Sequence, residues 1–284
     1  MTDLGFTKMH GLGNDFVVID ARGNAAAAAK LGPDATRAIA ERHTGVGCDQ
    51  LIIVEDAPDS SADVFMRIRN ADGSEVSACG NATRCIGALL MDETGRDTAR
   101  IRTAADLLQV SRAVGGLVTV DMGTPRFGWD EIPLLTEHDT LHLPLALGPL
   151  RDPAAASMGN PHATFFVGDA EEVPLSVLGP QLEHDPIFPE RANIAVAEMR
   201  RPDWMRLRVW ERGAGITLAC GTGACAAVAN AHRRGLSARK VTVTMDGGDL
   251  VIDWRDDGRI YMTGPAVTAF TGTISDNVFR SVAS

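Results

Sequence analysis

The sequence predicts an α/β (α+β) protein with two pseudo-symmetric domains, each a curled mixed β-sheet or barrel around a central buried helix, produced by internal duplication. Three observations lead there. Short motifs recur in the same order in both halves, many short runs are β-branched or alternate in polarity, and two longer stretches are small and apolar on every side. The repeat has four anchors. Met66-Arg67-Ile68-Arg69 recurs as Met205-Arg206-Leu207-Arg208, and Ala78-Cys79-Gly80 recurs as Ala219-Cys220-Gly221, with the cysteines 141 residues apart. Gly13-Asn14, before an apolar run, matches Gly159-Asn160, and Met122-Gly123-Thr124-Pro125 echoes Met262-Thr263-Gly264-Pro265. The expected domains are 1–124 and 125–267, joined through the Pro- and Leu-rich stretch 124–150.

In the first half, strands are expected over 16–20, 50–55, 64–70, 107–112 and 117–122, with Gly115-Gly116 turning the last hairpin. A surface helix is expected over 33–42, with the alanine run 25–29 as its exposed start. The second half repeats the texture with strands over 240–245 and 250–254 about Gly247-Gly248. After each Cys-Gly pair comes a run such as Cys85-Ile86-Gly87-Ala88-Leu89-Leu90-Met91 or Ala224-Cys225-Ala226-Ala227-Val228-Ala229. Apolar on all sides, these read as helices enclosed by sheet rather than lying on a surface.

Composition narrows the function. Lys and Arg number 27 against 37 Asp and Glu, a net charge of -10 that repels phosphate backbones and anionic lipid. With aromatic residues at 5% and one Tyr, base stacking is also disfavoured, so nucleic acid and membrane are not expected partners. The start lacks the basic-then-apolar layout of a signal peptide and there is no long apolar run, so the expected location is the cytoplasm. Five cysteines in a reducing compartment argue against a disulfide framework.

Cys79 and Cys220 stand where a loop enters a buried helix. Unpaired N–H groups and the positive end of the helix dipole favour an anion there, so the thiol pKa is expected to fall. Gly80 and Gly221 leave those N–H groups open to a carboxylate or phosphate. Cys85 and Cys225 fall inside the apolar helices and read as packing residues, while Cys48 is open. The cysteine spacings match neither structural zinc sites nor thioredoxin-like pairs, and no metal is expected. A non-catalytic anion-binding module would use the glycines without needing thiols.

Two acid–base groups facing one carbon from opposite sides suit racemisation or epimerisation, one as thiolate and the other as thiol. The three lysines, Lys8, Lys30 and Lys240, lie outside any glycine-rich phosphate loop, so no pyridoxal cofactor is expected. The run from Asn70 through Asp72-Gly73-Ser74-Glu75 to Ala78-Cys79-Gly80-Asn81-Ala82-Thr83-Arg84 resembles the signature of the diaminopimelate epimerases, cofactor-independent enzymes of lysine and cell-wall precursor synthesis. Lys8-Met9-His10-Gly11-Leu12-Gly13-Asn14-Asp15-Phe16, Gly45-Val46-Gly47-Cys48-Asp49-Gln50, Met158-Gly159-Asn160-Pro161-His162, Arg191-Ala192-Asn193 and Glu211-Arg212-Gly213-Ala214-Gly215 extend the likeness.

That resemblance implies a homodimer acting on diaminopimelate, with the tail 268–284 returning to the first domain. It implies that Cys79 and Cys220 are the base and acid, and that Gly80, Asn81, Gly221 and Thr222 hold the reacting carboxylate. Asn14, Gln50, Asn70, Asn160, Asn193, Glu211 and Arg212 would line the substrate site, Arg212 taking the distal carboxylate in its planar fork. His162 and Glu211 would poise the thiols. Proline or hydroxyproline racemase-like and phenazine-pathway-type isomerases are the alternatives within the same two-cysteine architecture.

Overall fold

The computed structural model describes residues 4–275 and 277–280, which divide into two units. One takes the chain up to Val120 and again from Pro265, and the other is Asp121–Gly264. Of the tail 268–284, residues 268–275 and 277–280 belong to the first unit, and 276 and 281–284 lie outside the described residues.

In the first unit the strands lie in the order Val267–Ile274, Leu4–Gly11, Asn14–Asp20, Gln50–Asp56, Val64–Asn70, Thr98–Arg102, Leu107–Arg112 and Val118–Asp121. Neighbours are antiparallel except at two steps, Asn14–Asp20 to Gln50–Asp56 and Val64–Asn70 to Thr98–Arg102. A parallel step needs a crossover. The helices α1 (Ala25–Lys30) and α2 (Pro33–Ala40) supply the first, and α3 (Gly80–Thr94) the second. The alanine run is thus a separate helix, capped by the Asn24 side chain, and Pro33 breaks it from α2 because the residue before a proline avoids the helical region.

The second unit repeats this plan. Ala154–Ser157, Pro161–Phe166, Asn193–Arg201, Trp204–Glu211, Lys240–Met245, Gly248–Trp254 and Ile260–Gly264 lie in that order, parallel at the second and fourth steps. The crossovers are α4 (Leu175–Glu183) and α5 (Gly221–Arg233). Both α3 and α5 have most residues buried: α5 is small and largely apolar, while α3 buries Asn81, Thr83 and Arg84 along with Cys85, Ile86, Leu90 and Met91. α3 stops at Gly95, whose φ of 68° is left-handed and open to glycine at little cost.

Strand register corrects one anchor of the repeat. Arg69 pairs with Glu75 and Trp210 with Ile216, so equivalent positions lie 141 residues apart, the same interval as the two cysteines. Met66 therefore corresponds to Leu207 rather than Met205, and Asn70 to Glu211. A two-residue slip leaves every side chain on its own face. Val64, Met66 and Ile68 are buried in one unit and Met205, Leu207 and Val209 in the other.

The stretch 124–150 is not a linker. Ile132, Leu134, Leu143, Leu145 and Leu150 pack with Phe165, Ile194 and Val196 in the core of the second unit. Its leucines follow neither helical nor strand period, which hid their burial. Among the described residues no helix is long and apolar enough to cross a membrane.

Candidate active site

In the first unit Cys79 is half-buried at the N-terminus of α3, in extended conformation, and its carbonyl accepts the backbone N–H of Thr83 at 2.9 Å and that residue's hydroxyl at 2.8 Å. The strand Asn14–Asp20 brings Asn14 to it: Asn14 Oδ1 accepts the Cys79 thiol at 3.9 Å and Asn81 Nδ2 at 3.2 Å. The other end of the amide is also fixed, since Asn14 Nδ2 donates to Asp49 at 2.9 Å. Gln50 and Asn70 are partners in the ladder, and Gln50 Nε2 donates to Asn70 Oδ1 at 3.0 Å. Gly80 opens α3 beside Cys79. Asn14, Gln50, Asn70, Cys79, Gly80 and Asn81 therefore come from the starts of two adjoining strands, the end of Val64–Asn70 and one helix start.

In the second unit Cys220 is buried at the start of α5, followed by Gly221 and Thr222, and its sulfur lies 3.7 Å from Thr222 Oγ1. Asn160 Nδ2 donates to the same hydroxyl at 3.4 Å, while its Oδ1 meets His162 Nε2 at 3.0 Å. Asn193 Nδ2 donates to the Pro161 carbonyl, and its Oδ1 accepts the Arg212 backbone N–H at 2.9 Å. Arg212 itself is exposed, donating to the Glu190 carbonyl at 2.9 Å and paired with no carboxylate among the described residues.

At Cys220 the electrostatics differ from the helix-start expectation. Burial pushes the Cys220 thiol well above its usual range and the Glu211 charge adds to this, outweighing the Gly223 N–H and Thr222 hydroxyl that pull it down. Glu211 hydrogen-bonds to Cys220 and Thr217, which lower its pKa, yet burial keeps it raised on balance. His162 is fully buried and, by desolvation and the charge of Arg212, its pKa falls to about 3, so it is a neutral imidazole. Cys48 lies in the first unit's apolar core, where burial pushes its thiol up to about 11, and Cys85 and Cys225 are wholly buried in their helices. Among the described residues no three His, Cys, Asp or Glu side chains gather as a metal site.

With both groups of side chains placed, similarity to known proteins becomes decisive. The diaminopimelate epimerase family model matches residues 6–128 and 154–269. The chain belongs to the diaminopimelate epimerase family. The diaminopimelate epimerase of Acidiphilium cryptum (strain JF-5) is 58% identical over 269 residues, 95% of each chain. That of Rhodospirillum centenum (strain ATCC 51521 / SW) is 55% identical over 273 residues, 96% of this chain and 93% of the other. The fold is shared more widely. A probable proline racemase from Agrobacterium radiobacter K84 superposes with TM-score 0.69 at 15% identity, over 96% of this chain and 93% of that one. A phenazine biosynthesis protein of the PhzF family from Bacillus anthracis gives TM-score 0.68 at 18% identity, over 97% and 100%.

For this epimerase-family chain, sequence reasoning passed over the residues that hold Asn14. Asp49 accepts both the Asn14 side-chain amide and the Asp15 backbone N–H. Burial alone would raise the Asp15 carboxyl, but hydrogen bonds from Arg42 and Lys8, with the Lys8 charge, hold it far below the ordinary range. Arg42 also reaches Asp49 at 2.8 Å, joining the two acids. The signal available was the pair of acidic residues directly following Asn14 and Cys48. Because the folded carboxyl is depressed, its stabilisation is complete above the unfolded value of about 4 and is lost as pH falls toward the folded one. Asp15→Asn is expected to lower stability by about 2 kcal/mol at neutral pH, Asp15 being only 16% exposed. Urea unfolding at stepped pH should show the two curves converging in acid, and equal stabilities at neutral pH would contradict the role given to the network.

Proposed function

We propose that this protein interconverts LL- and meso-2,6-diaminopimelate by a cofactor-independent, two-cysteine reaction, serving lysine and peptidoglycan precursor synthesis. The observation that carries the proposal is the pair of cysteines at equivalent helix starts of duplicated units, in a chain of the diaminopimelate epimerase family.

The Cys79 thiolate takes the α-proton, forming an S–H bond, and the C–H electron pair spreads into the neighbouring carboxylate. The Cys220 thiol then gives its proton to the opposite face of that carbon, leaving a thiolate. Each turnover exchanges the two protonation states, and the reverse direction runs the same steps backward. A raised Cys220 pKa suits the resting donor, since burial and the Glu211 charge keep the proton on sulfur. The N–H groups of Gly80, Asn81, Gly221 and Thr222 supply the charge stabilisation that the developing dianion needs. Neutral His162, bonded through Asn160 to Thr222, adds a dipole to the Cys220 side without adding charge.

Arg212, exposed and without a carboxylate partner among the described residues, is the donor for the distal carboxylate, and Asn14, Gln50, Asn70, Asn160 and Asn193 offer both donors and acceptors to the amines and carboxylates. Racemisation of proline, which ends in no second carboxylate, would leave Arg212 unused. On the family resemblance the enzyme works as a cytoplasmic homodimer. Incubating the purified protein with LL-diaminopimelate in heavy water and no added cofactor should give meso product with one deuterium at the inverted carbon. Turnover only with added pyridoxal phosphate, or no stereochemical change, would overturn the proposal.

A further inference from the structure

We infer that Glu183 is a positioning residue for substrate recognition, its carboxylate holding the turn that carries Arg212. This rests on the reading of Arg212 as the donor to the distal carboxylate. Glu183 ends α4 and is buried to 3% exposure, an unusual place for an acid unless both oxygens are engaged. They are: Oε1 accepts the backbone N–H of Gly213 at 3.0 Å, and Oε2 accepts the indole N–H of Trp210 at 2.7 Å. One carboxylate therefore grips the chain on both sides of Glu211 and Arg212. The Arg212 N–H is tied separately to Asn193 Oδ1 at 2.9 Å, so two successive N–H groups of the turn have buried side-chain acceptors.

The helix that presents Glu183 is itself fixed. Gly179, one turn back on α4, lies so close to the indole that a Cβ there would sit 2.6 Å from Trp210 Cγ. Arg191 Nη1 lies 3.8 Å from Glu183 Oε1 with its own side chain 55% exposed, so the acid's close partners are the two N–H donors rather than a tight ion pair. Two donors converging on one group can be satisfied by a carboxylate. An amide of the same shape has one acceptor oxygen and must point its NH2 at one of the donors. If the Gly213 bond is the one lost, the turn is freed and the Arg212 guanidinium loses its fixed origin, which weakens binding of the substrate's far end more than the chemistry at the reacting carbon.

The test is steady-state kinetics and thermal unfolding of the full-length protein carrying Glu183→Gln, Glu183→Asp, Trp210→Phe or Arg212→Ala, and of the Glu183→Gln/Arg212→Ala double variant. Glu183→Gln is expected to raise KM for diaminopimelate about ten-fold with kcat changed less than about three-fold. Glu183→Asp, which keeps both acceptors but withdraws them by one methylene, should raise KM by less and covers the case in which the amide variant does not fold. Trp210→Phe removes the indole bond but leaves the Gly213 bond, and should lower the unfolding temperature while raising KM by less than Glu183→Gln does. The double variant should match Arg212→Ala in KM, because a displaced turn costs nothing once its guanidinium is gone. A KM within about two-fold of wild type for both Glu183 variants, or multiplied effects in the double variant, would overturn the inference. An unchanged KM in Arg212→Ala itself would instead defeat the reading of Arg212.

Discussion

Serine in place of either Cys79 or Cys220 is expected to reduce net epimerisation by about 10³-fold or more, within the range that a positioned acid–base group contributes. Every turnover needs one proton removed and another delivered, so neither sulfur can compensate for the other. The two variants should differ in what they retain. Serine is a poor base at neutral pH but can still donate a proton. Each variant then abstracts only from the stereoisomer whose α-hydrogen faces the surviving thiolate. Offered LL- and meso-substrate separately in heavy water, the two variants should prefer opposite isomers in α-deuteration. The same preference in both, or wild-type turnover in one, would show that a single cysteine touches the substrate.

Arg212→Ala is expected to raise KM by about thirty-fold, the equivalent of about 2 kcal/mol for a charge-assisted bond to a carboxylate. Its guanidinium is exposed before substrate arrives, so the desolvation that a fully buried arginine would already have borne is shared with binding, and the loss stays below that of breaking a buried pair. kcat should change little, because the contact is made equally in ground and transition states. A large fall in kcat at unchanged KM would move Arg212 to the reacting end of the substrate.

The two-fold plan and the helix starts were legible because Ala-Cys-Gly before a small apolar run is a local signal, repeated at a fixed interval. Other elements depend on distant partners. Leu4–Gly11 buries little of its own surface apart from Met9 and Gly11, and it exists as a strand because Asn14–Asp20 and Val267–Ile274 flank it. The leucines of 124–150 carry no period, so only packing against Phe165 and Ile194 reveals them as core. Site electrostatics were legible only in part. A helix start can be read from sequence, but the enclosure of Cys220 and the carboxylate of Glu211 bonded to it arise from tertiary placement, and together they reverse the expected direction. Glu183 gave no signal, since a lone acid at a helix end looks like any solvated one.

The pairing of Val267–Ile274 with Leu4–Gly11 has a consequence for how the protein is made. On the ribosome Asp121–Gly264 is a continuous stretch whose strands can all find partners as soon as it emerges. The unit translated first is in the opposite position. Its opening strand keeps an unpaired edge until Val267–Ile274 has been made, because that partner follows the whole of the second unit in the chain. Of the two units the one begun first is therefore completed second, and ribosome-stalled chains lacking residues beyond Gly264 should leave it protease-sensitive while the younger unit already resists.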